Sequence, residues 1–130
     1  MSKGSKRAGG AYLLHLKLRG PARLRIGALG QRLIPQGDYV YVGSARYGIE
    51  ARLARHERLA RTKAGKIRWH IDYVLVHPQC ELWRIQSIPG AEECRVSQRF
   101  ARRAGVVTPV HGFGATDCRS HCPAHLYRVG

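Results

Sequence analysis

Two polar residues on the apolar side of a predicted helix are of types that could act on a phosphate. A helical pattern covers residues 48–60, after a strand over residues 39–42 that Gly43 and Ser44 end. Ile49 and Leu53 lie on its apolar stripe, His56 lies in the middle of that stripe, and Arg52 lies at its edge. A guanidinium binds phosphate oxygens, and an imidazole can move a proton. In the alternative interpretation His56 is a hydrogen-bonded core histidine and Arg52 reaches water.

A second predicted helix, over residues 91–104, has a similar exception. Val96 and Phe100 lie on its apolar stripe, and Glu93 lies on the same stripe one turn upstream. A carboxylate that faces a core is costly unless it is paired or bound to a metal. The alternative is a simple stabilising role, because an acidic residue in the first turn of a helix interacts favourably with the helix dipole.

Short strands must position these helices. Alternating and β-branched residues predict antiparallel strands over 10–18, 23–28 and 39–42, with a loop at 30–37. Residues 69–76 are apolar and fit either a helix or a strand. A strand at 81–88, the second helix and a short final strand at 126–129 follow. We therefore expect one α+β domain over residues 10–130, preceded by a flexible basic arm over residues 1–9.

The chain is strongly basic. It carries 23 Lys and Arg against 8 Asp and Glu, which gives a formal net charge of +15. Such a charge attracts a polyanion, most commonly nucleic acid, although a solvated Arg-rich surface is the alternative. The expected nucleic-acid contacts are Arg46, Arg55, Arg58, Lys63 and Lys66. No secretion signal and no bilayer-length apolar run is evident, so we expect a cytoplasmic protein with reduced cysteines and no membrane partner.

The C-terminal part of the chain is rich in possible metal ligands. Cys118, His121, Cys122 and His125 lie within eight residues and could supply the four ligands of a zinc ion. Their spacing is shorter than that of a zinc-finger loop, so packing or hydrogen-bonding roles are the alternative. The segment WHIDY is also ambiguous. His70 and Asp72 share a face if it is a strand, and they do not if it is a helix.

The order of these residues resembles that of the GIY-YIG nuclease superfamily. Gly10-Ala11-Tyr12 and Tyr41-Val42-Gly43 resemble the two namesake tripeptides, and Arg52, His56 and Glu93 follow in the family's order. The segments GDYVYVGSA, RLARH, WHIDY and GFGATDC are similar to a narrower branch. That branch is a domain of unknown function, found alone or fused to endonuclease III-type repair proteins. The resemblance implies a three-stranded antiparallel central sheet flanked by helices.

The resemblance also implies roles for five residues. Tyr41 corresponds to a general base or water-positioning tyrosine, and Tyr12 to a tyrosine beside the nucleophile. Arg52 corresponds to the arginine at the scissile phosphate, and His56 to a position filled by His or Tyr. Glu93 corresponds to the carboxylate that holds a single Mg²⁺ or Mn²⁺. Because the free pKa of tyrosine is about 10, a role of Tyr41 as a base requires Arg52 or the metal to lower that pKa.

The expected function is that of a metal-dependent endonuclease acting in DNA repair or processing, with DNA favoured over RNA and a repair protein as a possible partner. Two departures from the family pattern bear on activity. Ser44 stands where many members carry Lys, and Thr108-Pro109 stands where an Asn is usual. The alternative is a catalytically weak or inactive nucleic-acid-binding module that acts with a repair partner. A third hypothesis is a zinc-stabilised protein-interaction domain.

Overall fold

Four antiparallel strands form the main sheet of the domain in this computed structural model. β1 (Gly10–Leu18) lies in its interior, between β4 (Gly37–Ala45) and β5 (Cys80–Pro89). β6 (Leu126–Arg128) pairs with the outer edge of β4, so the order is β5-β1-β4-β6. The resemblance implied three strands, and the fourth is the short final strand predicted from the sequence. The predicted α+β class is confirmed.

One face of β1 is buried from Tyr12 to Leu18, and the opposite face is buried at Ala11 and Leu13 but open to solvent at Lys17. The predicted inward face is confirmed, since its residues are at most 2 % exposed: Tyr12, Leu14, Leu16 and Leu18. On the opposite face, Leu13 joins a second core cluster with Val42 and Tyr127. A strand in the interior of a sheet that is covered on both sides is held by apolar contacts from two directions, so it is a rigid base for the residues at its start.

Helices cover the two faces of the sheet. α1 (Ile49–Thr62) and α2 (His70–Leu75) contribute Leu59 and Ile71 to the larger core cluster. α3 (Glu93–Ala101) packs on the smaller cluster. The ambiguous segment 69–76 is therefore a helix. α3 is shorter at both ends than the predicted 91–104. At its C-terminal end the chain leaves the helix in tighter turns, in which the Arg103 N–H donates to the Phe100 carbonyl.

A small separate hairpin lies between β1 and β4. β2 (Ala22–Arg25) pairs with β3 (Gln31–Ile34), and a 3-10 turn (Gly27–Leu29) connects them. The predicted strand over 23–28 is present as β2 but ends at Arg25, and the prediction of a loop over 30–37 was wrong because β3 lies within that range. Gly27, with a φ of 47°, begins the turn after the first strand, and Gly30, with a φ of 75°, ends the turn before β3. β3 was not predicted because only one of its four residues is buried, so its sequence does not alternate between apolar and polar residues.

The structure describes residues 9–115 and 122–130. Most of the predicted N-terminal arm, together with Cys118 and His121, lies outside the described residues. Within the described part of the chain, no helix has both the length and the apolar character needed to cross a membrane.

Candidate active site

Tyr12 and His56 form a buried pair between the sheet and α1. The Tyr12 hydroxyl lies 2.7 Å from His56 Nε2, and the two residues are 2 % and 0 % exposed. Burial lowers the pKa of His56 to about 4, although the Asp72 carboxylate opposes the shift. Burial also raises the pKa of Tyr12. Both groups are therefore neutral at pH 7, and their hydrogen bond fixes the direction of the Tyr12 ring.

Gly43 makes room for that ring. Tyr12 is paired directly with Gly43 across the two central strands. A Cβ atom at position 43 would lie 2.5 Å from the Tyr12 hydroxyl oxygen and would also overlap the ring. The glycine of the tripeptide Tyr41-Val42-Gly43 thus has a steric role, which is to let Tyr12 lie across β4.

Tyr41 is a second buried tyrosine close to this pair. It is 7 % exposed, and its ring packs edge-on against Phe113 with the centroids 6.3 Å apart. Burial raises the pKa of Tyr41 well above its usual value, Tyr12 and Glu93 add to the rise, and the opposing effect of Arg52 does not overcome them. Arg52 alone therefore does not make Tyr41 a base, and the Tyr41 hydroxyl stays protonated in the protein by itself.

Arg52 is held at the mouth of the site by two neighbours. Its NH1 group donates a 2.6 Å hydrogen bond to the backbone carbonyl of Ser44. Its guanidinium lies over the Trp69 ring, 4.5 Å from the centroid. Stacking on a ring leaves the edges of a guanidinium available for hydrogen bonds, so Arg52 is suited to binding an anion.

A buried ion pair fixes Trp69 and joins α2 to α1. Asp72 is fully buried, and its carboxylate accepts hydrogen bonds from both terminal nitrogens of Arg55, at 3.1 Å and 2.9 Å. It also accepts the backbone N–H groups of Arg68 and Trp69. Burial favours the neutral acid, but these hydrogen bonds outweigh it and lower the pKa of Asp72. Trp69 is thereby locked in place beneath Arg52.

Glu93 lies in the first turn of α3 and is held by two hydrogen bonds. Its Oε1 accepts a hydrogen bond from the Ser44 hydroxyl at 2.7 Å. Its Oε2 lies 2.7 Å from His125 Nδ1, and the side chain is 25 % exposed. The carboxylate therefore points inward, as the position of Glu93 on the apolar stripe of the helix predicted.

These residues meet at one polar cleft of about 220 Å³. Its described lining is Tyr12, Tyr41, Ser44, Arg52, Trp69, Glu93 and Gly114. Four of the five residues singled out from the sequence are in this lining, and His56 lies behind Tyr12. Ser44 and Trp69 were not predicted as site residues, and His125, the partner of Glu93, was predicted only as a possible zinc ligand. Other, larger clefts on the surface contain none of these four residues.

A family model matches residues 11–130 of the chain, and its description is a domain of unknown function, DUF123. The chain belongs to the DUF123 family. Comparison with curated proteins gave no match, and comparison with solved structures gave none either. All the residues of the cleft lie within the matched range, so the site belongs to the DUF123 domain itself.

The expected nucleic-acid contacts of the DUF123 domain fall into two groups. Arg46, Arg58 and Lys66 are exposed. Arg55 is bound to Asp72 and to the Lys66 carbonyl, and Lys63 Nζ donates to the carbonyls of Leu75 and Cys80 at 3.0 Å and 2.6 Å. Because the donors of Arg55 and Lys63 bind groups within the protein, the proposed nucleic-acid surface does not include these two residues.

His70 and Asp72 contact different neighbours, as expected because the two residues do not share a face of a helix. His70 Nδ1 accepts the backbone N–H of Gly114 at 2.8 Å, and the His70 ring packs on Phe113. A Cβ atom at Gly114 would lie 3.2 Å from Tyr41, so the loop passes close to the tyrosine. His70 thus holds the loop that forms one wall of the cleft, whereas Asp72 holds the Trp69 wall.

Proposed function

We propose that this DUF123 domain is a metal-dependent endonuclease of the GIY-YIG type that hydrolyses phosphodiester bonds in DNA. Cleaving such a bond requires an activated water, neutralisation of the anionic transition state and stabilisation of the leaving oxygen. The observation that carries the proposal is the convergence of Tyr12, Tyr41, Arg52 and Glu93 at one polar cleft, although they come from four separate elements.

The side chains divide the chemistry between them. Arg52 binds a phosphate oxygen and neutralises charge that develops there, while its contacts with Ser44 and Trp69 hold the guanidinium in place. The Tyr41 hydroxyl orients the attacking water. Tyr12 lies beside it and is oriented by His56. Since both tyrosines are protonated in the protein alone, they act first as hydrogen-bonding groups, and proton removal requires added positive charge.

Glu93 is the residue of the cleft that could hold a hard cation. Mg²⁺ prefers oxygen ligands and keeps several waters when few carboxylates are offered. Each carboxylate oxygen has two lone-pair sites, and the bonds from Ser44 and His125 use one on each oxygen, so the carboxylate can still bind an ion. When bound, Mg²⁺ or Mn²⁺ would supply positive charge for the leaving oxygen.

The test is cleavage of plasmid, single-stranded, branched and damaged DNA in the presence of Mg²⁺ or Mn²⁺. We expect metal-dependent cutting of at least one substrate, with Glu93→Ala inactive. Tyr41→Phe should lose roughly a hundredfold or more in rate, the usual contribution of a group that handles the proton of a nucleophile. If the parent protein cuts no substrate, or both variants cut like the parent, the endonuclease proposal is wrong.

A second candidate is a nucleic-acid-binding module without turnover, acting with a repair partner. It is favoured by the raised pKa of Tyr41 and by the hydrogen bonds that occupy both Glu93 oxygens. Such a module should bind DNA with an affinity that falls steeply with salt. It also predicts that Arg52→Ala weakens binding no more than Arg58→Ala, whereas an enzyme should lose much more activity from the first substitution. Binding that is insensitive to salt would count against both candidates.

A further inference from the structure

A cluster of soft metal ligands lies next to Glu93 and includes its hydrogen-bond partner His125. One ligand atom from each of Cys94, Cys122 and His125 lies within 4.8 Å of the other two. Cys94 is in the first turn of α3, and the other two residues lie in the segment that leads into β6. The ligands predicted from the sequence all lie within residues 118–125, where the spacing is short, and α3 supplies a ligand from a distant part of the chain.

We propose that Cys94, Cys122 and His125 bind a zinc ion. Two thiolates and an imidazole are the ligands that zinc prefers over hard oxygen donors. Around a tetrahedral zinc the ligand atoms lie roughly 3.5–4 Å apart, so the cluster needs to contract by only about 1 Å. The described residues supply three ligands, and the fourth position would take a further donor. The thiols release their protons to solvent when the ion binds.

The surroundings of the cluster suit a metal site. Glu93 Oε2 engages His125 Nδ1 at 2.7 Å, which places the proton on Nδ1 and makes Nε2 the nitrogen that can bind a metal. A carboxylate behind a ligating histidine is a common arrangement around zinc. Gln98 Nε2 also lies 4.0 Å from Cys122 Sγ, where it can donate to a thiolate.

The backbone around the ligands is already held in place. The His125 N–H donates to the Phe113 carbonyl at 2.7 Å, and the His125 carbonyl accepts from the Val42 N–H at 2.8 Å. The Sγ of Cys122 lies 3.8 Å from the Cys94 carbonyl. Binding therefore requires little reordering of His125 and ties the segment before β6 to α3. Zinc binding would also hold His125, the hydrogen-bond partner of Glu93, in a fixed position. The proposed zinc site does not depend on nuclease activity.

The test is the metal content of the full chain, purified under reducing conditions without added metal, chelator or histidine tag. We expect about one zinc per chain. Cys94→Ser and Cys122→Ser should lose it, and Cys80→Ala, which removes a buried cysteine outside the cluster, should retain it. Retention of stoichiometric zinc by both cluster variants would overturn the proposal.

A second measurement uses the parent protein, so it tests the proposal even if the variants fail to fold. Titration of the metal-free parent protein with Co²⁺ should produce thiolate-to-cobalt charge-transfer absorption together with the visible bands of a tetrahedral ion, and Zn²⁺ should displace the cobalt. If the parent protein holds no zinc and develops no charge-transfer band, the three residues are a packing cluster and the proposal is wrong. Neither measurement uses DNA, so its outcome is separate from that of the endonuclease proposal.

Discussion

The Tyr12 ring can occupy its position only because residue 43 is a glycine, since a methyl group at Gly43 would overlap the ring. Gly43→Ala should therefore displace the ring, disrupt the hydrogen bond to His56 and cost about 1–3 kcal/mol in the free energy of unfolding. Urea denaturation measures the change. The matched control is Gly20→Ala, whose Cβ would meet only the flexible Gln79 side chain at 3.3 Å. Equal effects of the two substitutions would contradict a steric role for Gly43.

The lowered pKa of His56 predicts that the stability of the protein depends on pH. This pKa falls from the usual 6.5 to about 4 on folding, so the unfolded chain binds more protons between these values. The stability that comes from keeping His56 neutral is fully present above pH 6.5 and is lost as the pH falls toward 4. The loss should reach roughly 3 kcal/mol.

Denaturation of the parent and of His56→Gln at pH 7, 5 and 4 checks this prediction. The variant cannot titrate at this position, so the difference between the two proteins isolates His56 from other groups, such as Asp72, that also titrate in acid. We expect the parent to lose more stability than the variant over this range. Parallel curves would show that His56 does not titrate as proposed.

At the scale of elements, the ion pair between Asp72 and Arg55 holds α2 against α1. Asp72→Asn should cost about 3 kcal/mol, because it weakens a buried pair and leaves the Arg55 charge less well compensated. It should also loosen Trp69 and lower DNA affinity through Arg52. The control is Glu57→Gln, whose partner Arg61 is 63 % exposed and whose loss should change stability by less than about 1 kcal/mol. A similar effect of both substitutions on the urea midpoint would contradict this account.

The elements that were predictable from the sequence are those with strong periodicity. β1 and α1 each bury an apolar face, so their spacing identified them, whereas β5 was predicted from its strand-forming residues although Cys80 is the one buried residue of its ten. β3 was missed because it is mostly exposed, and residues 69–76 were ambiguous because six helical residues are too few for a period to show. Sequence periodicity also placed Tyr12, Arg52, His56 and Glu93 inward, since a polar residue on an apolar stripe is visible without a structure.

The partners of those residues were not predictable in the same way. Ser44 reaches Glu93 across 49 positions of the chain, and His125 reaches it across 32. Neither residue lies on a stripe that marks it, because their contacts arise from how α3 and β6 pack against the sheet. The raised pKa of Tyr41 likewise follows from tertiary burial, which the sequence analysis did not anticipate.

At the scale of the whole molecule, the net charge of +15 should govern DNA binding. Arg46 follows the cleft residue Ser44 by two positions, and Lys66 precedes Trp69 by three, so both should contact phosphates near the cleft. The double variant Arg46→Ala/Lys66→Ala should reduce the slope of log K against log salt by about 1–2.

The matched control is Lys17→Ala/Arg84→Ala, which removes the same charge from two exposed residues, one near the end of β1 away from Tyr12 and one on the edge strand β5 opposite His15. We expect this variant to weaken DNA binding less, and a fluorescence anisotropy titration over a range of salt concentrations compares the two. Equal losses would indicate that only net charge matters and that the surface around the cleft is not the binding site.

We propose that the carboxylate of Glu93 and the side chains that share its cleft form a hydrolytic site. The most direct measurement is the nicking of supercoiled plasmid in Mn²⁺ by Glu93→Gln and by Glu92→Gln. The two substitutions remove the charge of two neighbouring carboxylates. Glu92 is the control, because its carboxylate is 72 % exposed and pairs with Arg95 on the surface. We predict that Glu93→Gln abolishes nicking while Glu92→Gln nicks at the parental rate. Nicking by Glu93→Gln at the parental rate would contradict the claim.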